Sequence, residues 1–197
     1  MKKTSLLLIA ASAFVFACND AAETDPVEKA DSSNEAKLDR AEDSGAAAVG
    51  PVTPVDEASA EFFTKAADGG MAEVSLGKLA GEKATNAKVK EFAVMMVNDH
   101  TGANTGLKEL ASKKSITLPA AVSEDHQKAE ADLAKKSGKD FDKAYIDQMV
   151  KDHENTVSLF EKGSKDVKDA DLKAFIDQTL PKLKTHLEAA KSIKKSL

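Results

Sequence analysis

From residue 56 to residue 194, apolar side chains return every three or four positions in four long runs, a spacing that fits amphipathic helix and little else. The first run, 56–83, carries Phe62, Phe63, Ala66, Val74 and Leu76. The second, 86–113, carries Val89, Phe92, Met96, His100, Ala103, Leu107 and Leu110. The third, 140–162, carries Phe141, Tyr145, Met149, His153, Val157 and Phe160. The fourth, 169–194, carries Leu172, Phe175, Ile176, Leu180, Leu183, Leu187 and Ile193, with Pro181 placed to kink it. Between the second and third runs Pro119 stops any helix arriving from its left, and Ser123 opens a short helix to about residue 136. The expected fold is all-α: a four-helix bundle over residues 56–197 with one extra short helix between helices 2 and 3. Short links inside each pair make two antiparallel hairpins. The longer middle connection leaves both an up-down-up-down order and a single crossover open.

The amino terminus reads as an export signal. Lys2 and Lys3 precede an apolar run over residues 6–16, shorter than the roughly 18–20 residues a bilayer span requires. Ala17 then precedes Cys18, the only cysteine, and "VFAC" is similar to a bacterial lipoprotein cleavage site. Residues 1–17 are therefore expected to be removed and Cys18 lipidated, which leaves no free thiol for disulfides, haem attachment or thiolate metal sites. Several acyl chains hold a protein stably on its membrane, so the expected location is the cell envelope, on the outer membrane or a periplasm-facing membrane. Residues 18–55 contain mostly Ala, Ser, Asp, Glu and Pro and almost no large apolar side chain. They are expected to form a disordered acidic tether.

A resemblance extends over 61–191. The stretches "GGMAEVSLGKLAGEKATNAKVKEFAVMMVNDHTGANTGLKELASKKSITLP", "FDKAYIDQMVKDHENTVSLFEKGSKD" and "LKAFIDQTLPKLKTHLEAAK" occur in the order found in the bacterial family of domains of unknown function catalogued as DUF4142. The resemblance implies a ferritin-like helical bundle in exported or envelope proteins, and no established activity.

Within this frame one pattern is written twice. Met-Val-x-Asp-His occurs around His100 and again around His153, 53 residues later, in a chain with four histidines. Residues four apart share a helix face, so Met96 with His100 and Met149 with His153 form matched thioether–imidazole pairs suited to copper, while imidazole alone also suits zinc. Glu73 and His186 supply one further candidate on each remaining helix. Counted from the turn near Thr85, Glu73 and His100 differ in level by about 4–5 Å. Counted from a turn near Asp166, His153 and His186 differ by roughly 10 Å, which argues against one four-ligand site. The other reading takes the two pentads as equivalent core positions, with Met96 and Met149 filling gaps and the three histidines forming a polar layer that fixes helix register. Asp99 and Asp152, about 100° around the helix from their histidines, are expected to face solvent or pair with lysines.

Several classes are excluded. Val97, Val150 and Leu183 stand three residues before the histidines, so the Glu-x-x-His pairs of a di-iron bundle are missing. No Gly-x-Ser-x-Gly elbow or phosphate-binding loop occurs, and an enzyme is not expected. Net charge is −5, and loss of Lys2 and Lys3 takes it to −7 with the remaining lysines scattered, so nucleic acid is not an expected partner. The sequence is therefore read as a membrane-tethered envelope module that acts through an unidentified protein contact, with stress adaptation as one setting. The alternative is a small copper- or zinc-binding module built on His100, His153, Glu73, His186, Met96 and Met149.

Overall fold

The computed structural model describes residues 24–43 and 55–197; the expected export signal over residues 1–17 and Cys18 lie outside them. Among the described residues six helices follow one another: α1 Pro26–Asp43, α2 Glu57–Lys83, α3 Ala87–Lys113, α4 Glu124–Ala134, α5 Gly138–Asp166 and α6 Ala170–Lys194. Among the described residues no helix is long and apolar enough to cross a membrane.

Local chemistry sets the ends. Asp56 accepts from Ser59 N at 2.8 Å, Asn86 from Lys88 N and Asp169 from Leu172 N, each satisfying an orphan donor of the first turn. The α2–α3 turn is held against α5 by Asp142, which is buried and whose carboxylate accepts from the backbone of Thr85 and Asn86. Gly77 lets α2 and α3 close up, since a Cβ there would lie 2.9 Å from Val97 Cγ2.

α2, α3, α6 and α5 form a ring in which each helix packs on its two neighbours. The core divides into two apolar clusters stacked along the bundle. One joins the C-terminal part of α2 (Leu76, Ala80) to the N-terminal parts of α3 (Phe92, Met96) and α5 (Phe141, Tyr145, Met149) and the C-terminal part of α6 (Leu187, Ala190). The other joins Phe62 and Phe63 of α2, Leu107 of α3, Phe160 of α5 and Leu172 and Ile176 of α6. α3 and α5 therefore start at the same end of the bundle. Segment 114–137, containing α4, must carry the chain back along its length, so the topology is the single-crossover one.

One expectation is corrected. Residues 26–43, read as disordered tether, form α1 and pack on α2. No apolar stripe announces this helix. Its docking is polar: Asn34, buried, donates its amide to Thr117 O at 2.9 Å and accepts from Thr117 N at 2.8 Å. Asp25 ties its start to α4 by accepting from Glu124 N.

Candidate metal centre

Between the two apolar clusters lies a polar layer with one residue from each bundle helix: Glu73 of α2, His100 of α3, His153 of α5 and His186 of α6. They are 1%, 4%, 0% and 2% exposed. The three imidazoles form a triangle with ring centroids 5.3–5.5 Å apart. The 10 Å offset expected between His153 and His186 is thus corrected. α5 runs to Asp166 rather than 162, and the turn falls at 167–169. Counted from Lys168, His153 and His186 differ by only three residues, about 4.5 Å of rise.

Each ring turns one nitrogen toward an acceptor. His186 Nε2 donates to Asp99 Oδ2 at 2.8 Å, and His153 Nδ1 donates to Met149 O at 2.9 Å. His100 Nδ1 lies 2.8 Å from Glu73 Oε2, and His153 Nδ1 also lies 3.2 Å from Glu73 Oε1. An imidazole that donates through one nitrogen keeps a lone pair on the other. Those other nitrogens, His100 Nε2, His153 Nε2 and His186 Nδ1, are buried without a hydrogen-bond partner. One ring nitrogen from each histidine lies within 4.8 Å of the others.

The electrostatics agree with neutral rings at two positions. Burial, with the neighbouring imidazoles, pushes His186 down to about 4 against the pull of Asp99. Burial likewise lowers His153, although Glu73 opposes it. Burial disfavours ionised Glu73 too, but the adjacent His100, His153 and His186 outweigh it and hold the carboxyl below its ordinary value. Both Glu73 oxygens remain without a well-directed hydrogen bond.

Met96 and Met149 are fully buried in the apolar cluster that contains the C-terminal part of α2. Asp99 pairs with Lys182 at 3.0 Å, as expected of a lysine partner, and also with His186, which the sequence reading missed. Asp152, expected to face solvent or pair with a lysine, is instead 8% exposed and accepts from Gln148, and its carboxyl is pushed up to about 6, chiefly by burial. The only signal for Asp99 was position: in a tightly packed bundle, a residue 100° from the core stripe faces the seam with the next helix.

These residues bring three buried imidazoles within ligating reach of one another, each with one nitrogen that has no other partner, as a metal centre requires of its ligands. They also repeat a common supporting pattern, in which a ligating histidine donates its other N–H to a carboxylate or carbonyl.

A family model described as "Domain of unknown function (DUF4142)" matches residues 43–193. No curated protein sequence matches significantly. Among solved structures, the fold is similar to a DUF305 fragment from Deinococcus radiodurans, with a TM-score of 0.66 and 10% identity over 74% of this chain and 100% of that one. It is also similar to CopM in its Cu(II)-bound form, with a TM-score of 0.61 and 15% identity over 70% of this chain and 95% of that one. At such identities the likeness shows the helical fold alone.

Proposed function

Because the chain belongs to the DUF4142 family, whose description gives no activity, its function is read from the site, and we propose that it is a non-catalytic, copper-holding module of the bacterial envelope, tethered through lipidated Cys18. His100, His153 and His186 supply the ligands, and Glu73 and Asp99 orient the rings from behind. The observation that carries this reading is the set of three buried ring nitrogens left without partners in one layer. Three nitrogens at about 2.0 Å from one ion stand roughly 3.5 Å apart, so loading requires a closure of at most about 1.3 Å from separations within 4.8 Å.

Two arguments favour Cu(I) over Zn(II). A three-histidine zinc site keeps a fourth position for water or substrate, and these histidines are closed to solvent. The layer also holds a buried carboxylate, Glu73, whose charged-group partners are imidazoles. One monovalent cation on three neutral rings balances it, whereas a divalent ion leaves excess positive charge in a medium of low dielectric constant. CopM, described as Cu(II)-bound, supplies a further reason to begin with copper.

The competing reading, a polar layer that fixes register, draws on the close His100–Glu73 contact. Titration of residues 19–197 with Cu(I) against a chelator, and elemental analysis without a histidine tag, separates the two. One equivalent of Cu(I), lost on His100→Ala or His153→Ala with helicity retained, supports the metal reading. No binding tighter than a weak chelator, together with lost stability in the variants, supports the layer.

A further inference from the structure

The four residues of the layer are at most 4% exposed, so an ion bound for it must pass between helices. Among the described residues, one side chain outside the layer touches its polar atoms. This is Asp99 of α3, 29% exposed, whose Oδ2 accepts from His186 Nε2 at 2.8 Å and whose Oδ1 accepts from Lys182 Nζ at 3.0 Å. Lys182 of α6 is itself 56% exposed. Lys182, Asp99 and His186 thus make a run of polar contacts from solvent to the layer, laid across the seam between α3 and α6.

This seam parts more easily than its neighbour. α2 and α3 are locked together: a Cβ at Gly77 would lie 2.9 Å from Val97 Cγ2 and 3.2 Å from Ala93 O. On the side of α3 that carries Asp99, two turns further on, a Cβ at Gly106 would meet Phe175 of α6 at 3.6 Å, an ordinary contact. α6 also runs through Pro181, which has no N–H to give, so the helix lacks a rung just ahead of Lys182 and His186. A helix bends most readily at such a gap. Bending there moves both side chains relative to α3.

We propose that the seam between α3 and α6 is the route between solvent and the layer, with the copper reading supplying what travels along it, and that the Lys182–Asp99 pair is its gate. An ion pair this exposed is weak and parts often. Parting it frees Asp99 Oδ1 at the mouth, where a carboxylate attracts a cation, while Oδ2 stays on His186. Lys182 touches none of the three rings, so it governs how fast the layer is reached and not how tightly it holds.

The route is tested first without metal. The full chain, solubilised in detergent, is treated at mildly alkaline pH with diethyl pyrocarbonate, which acylates neutral imidazole, and each histidine is followed by mass spectrometry. His126 of α4, 24% exposed on a cleft between α2, α4 and α5, serves as the accessible reference. Within the layer His186 is expected to react ahead of His100 and His153, and faster again in Lys182→Met. Lys184→Met removes the same charge from the same helix, where Lys184 pairs with Glu161, and is expected to change nothing. Stopped-flow transfer of Cu(I) from a chelator then reads loading: Lys182→Met is expected to load about tenfold faster, with Kd within about threefold of the parent. Three rings that react at one rate, as global unfolding would give, overturn the proposal. So does His153 reacting first, as entry from the cleft beside Asp152 would give, or Lys182→Met behaving as Lys184→Met does. If the layer takes up no Cu(I), the copper reading falls, and the order of acylation still decides the route.

Discussion

His186 and His126 each present one ring nitrogen to an aspartate, at 2.8 and 3.0 Å, yet they are displaced in opposite directions. The hydrogen bond to Asp68 raises His126 above its ordinary value, against a smaller opposing effect of burial. Burial drives His186 down to about 4, and the hydrogen bond to Asp99 does not restore it. Two differences account for this. His186 is closed to water and has two imidazoles for neighbours, whereas His126 opens on a cleft. The same pair of side chains thus makes a proton-holding group at the surface and a lone-pair donor in the core.

The strongest way to break this comparison is to remove rings one at a time. His153→Ala is expected to weaken Cu(I) binding more than 100-fold, while His126→Ala leaves it within a factor of two, by competition with a Cu(I) chelator. Equal losses from both would sink the division of labour.

Glu73→Gln comes next. With neutral imidazoles the amide keeps the shape of the carboxylate beside His100 and no ion pair is lost, so the unfolding free energy should change by under about 1 kcal/mol while Cu(I) affinity falls about 10–100-fold. If the layer is instead an imidazolium–carboxylate pair, removing the anion should cost about 3–5 kcal/mol. Urea unfolding of the ion-free variant reads the difference.

A smaller effect sharpens the contrast through pH. A lowered imidazole pKa means that the unfolded chain takes up a proton between about 6.5 and 4 that folded His186 refuses, so its contribution to stability is lost as pH falls through that window. For His126 the sign is reversed: its contribution is complete below about 6.5 and is lost as pH rises through its raised folded value. NMR titration should place the His186 midpoint near 4 and the His126 midpoint above 6.5. The smallest change expected is from Asp68→Asn, which should lower the His126 midpoint and cost about 0.5–1 kcal/mol near pH 5.5, since the pair is partly exposed. That cost should shrink by pH 9.

The helices are legible in the sequence because burial imposes period: Phe92, Met96, His100 and Leu107 mark the inner face of α3 whatever their chemistry. α1 is illegible for the converse reason. Its docking rests on Asn34 reading the backbone of Thr117, and hydrogen bonds to backbone leave no periodic trace. The crossover was open because it depends on which ends meet, and that is fixed by the pairing of Phe141 and Tyr145 with Leu76 rather than with Phe62. Glu73, His100 and His153 share a level that residue counting finds, because the α2–α3 turn is short. His186 was misplaced by a few residues at the end of α5. Asp99 found its lysine, but its second contact with His186 and the burial of Asp152 were not legible, because an angle around one helix does not say what stands beside it.

The four polar side chains of the layer come two from each hairpin, Glu73 and His100 from α2–α3, and His153 and His186 from α5–α6. Neither hairpin alone holds three rings, and the contact between Asp99 and His186 spans 87 positions of chain. Closing so long a loop comes at an entropic cost that local helix formation does not meet. The triangle of imidazoles therefore arises only when the two hairpins have docked, and it marks that docking as complete. An ion that requires all three rings recognises the finished bundle and no fragment of it, and by mass action it shifts the balance toward the assembled state.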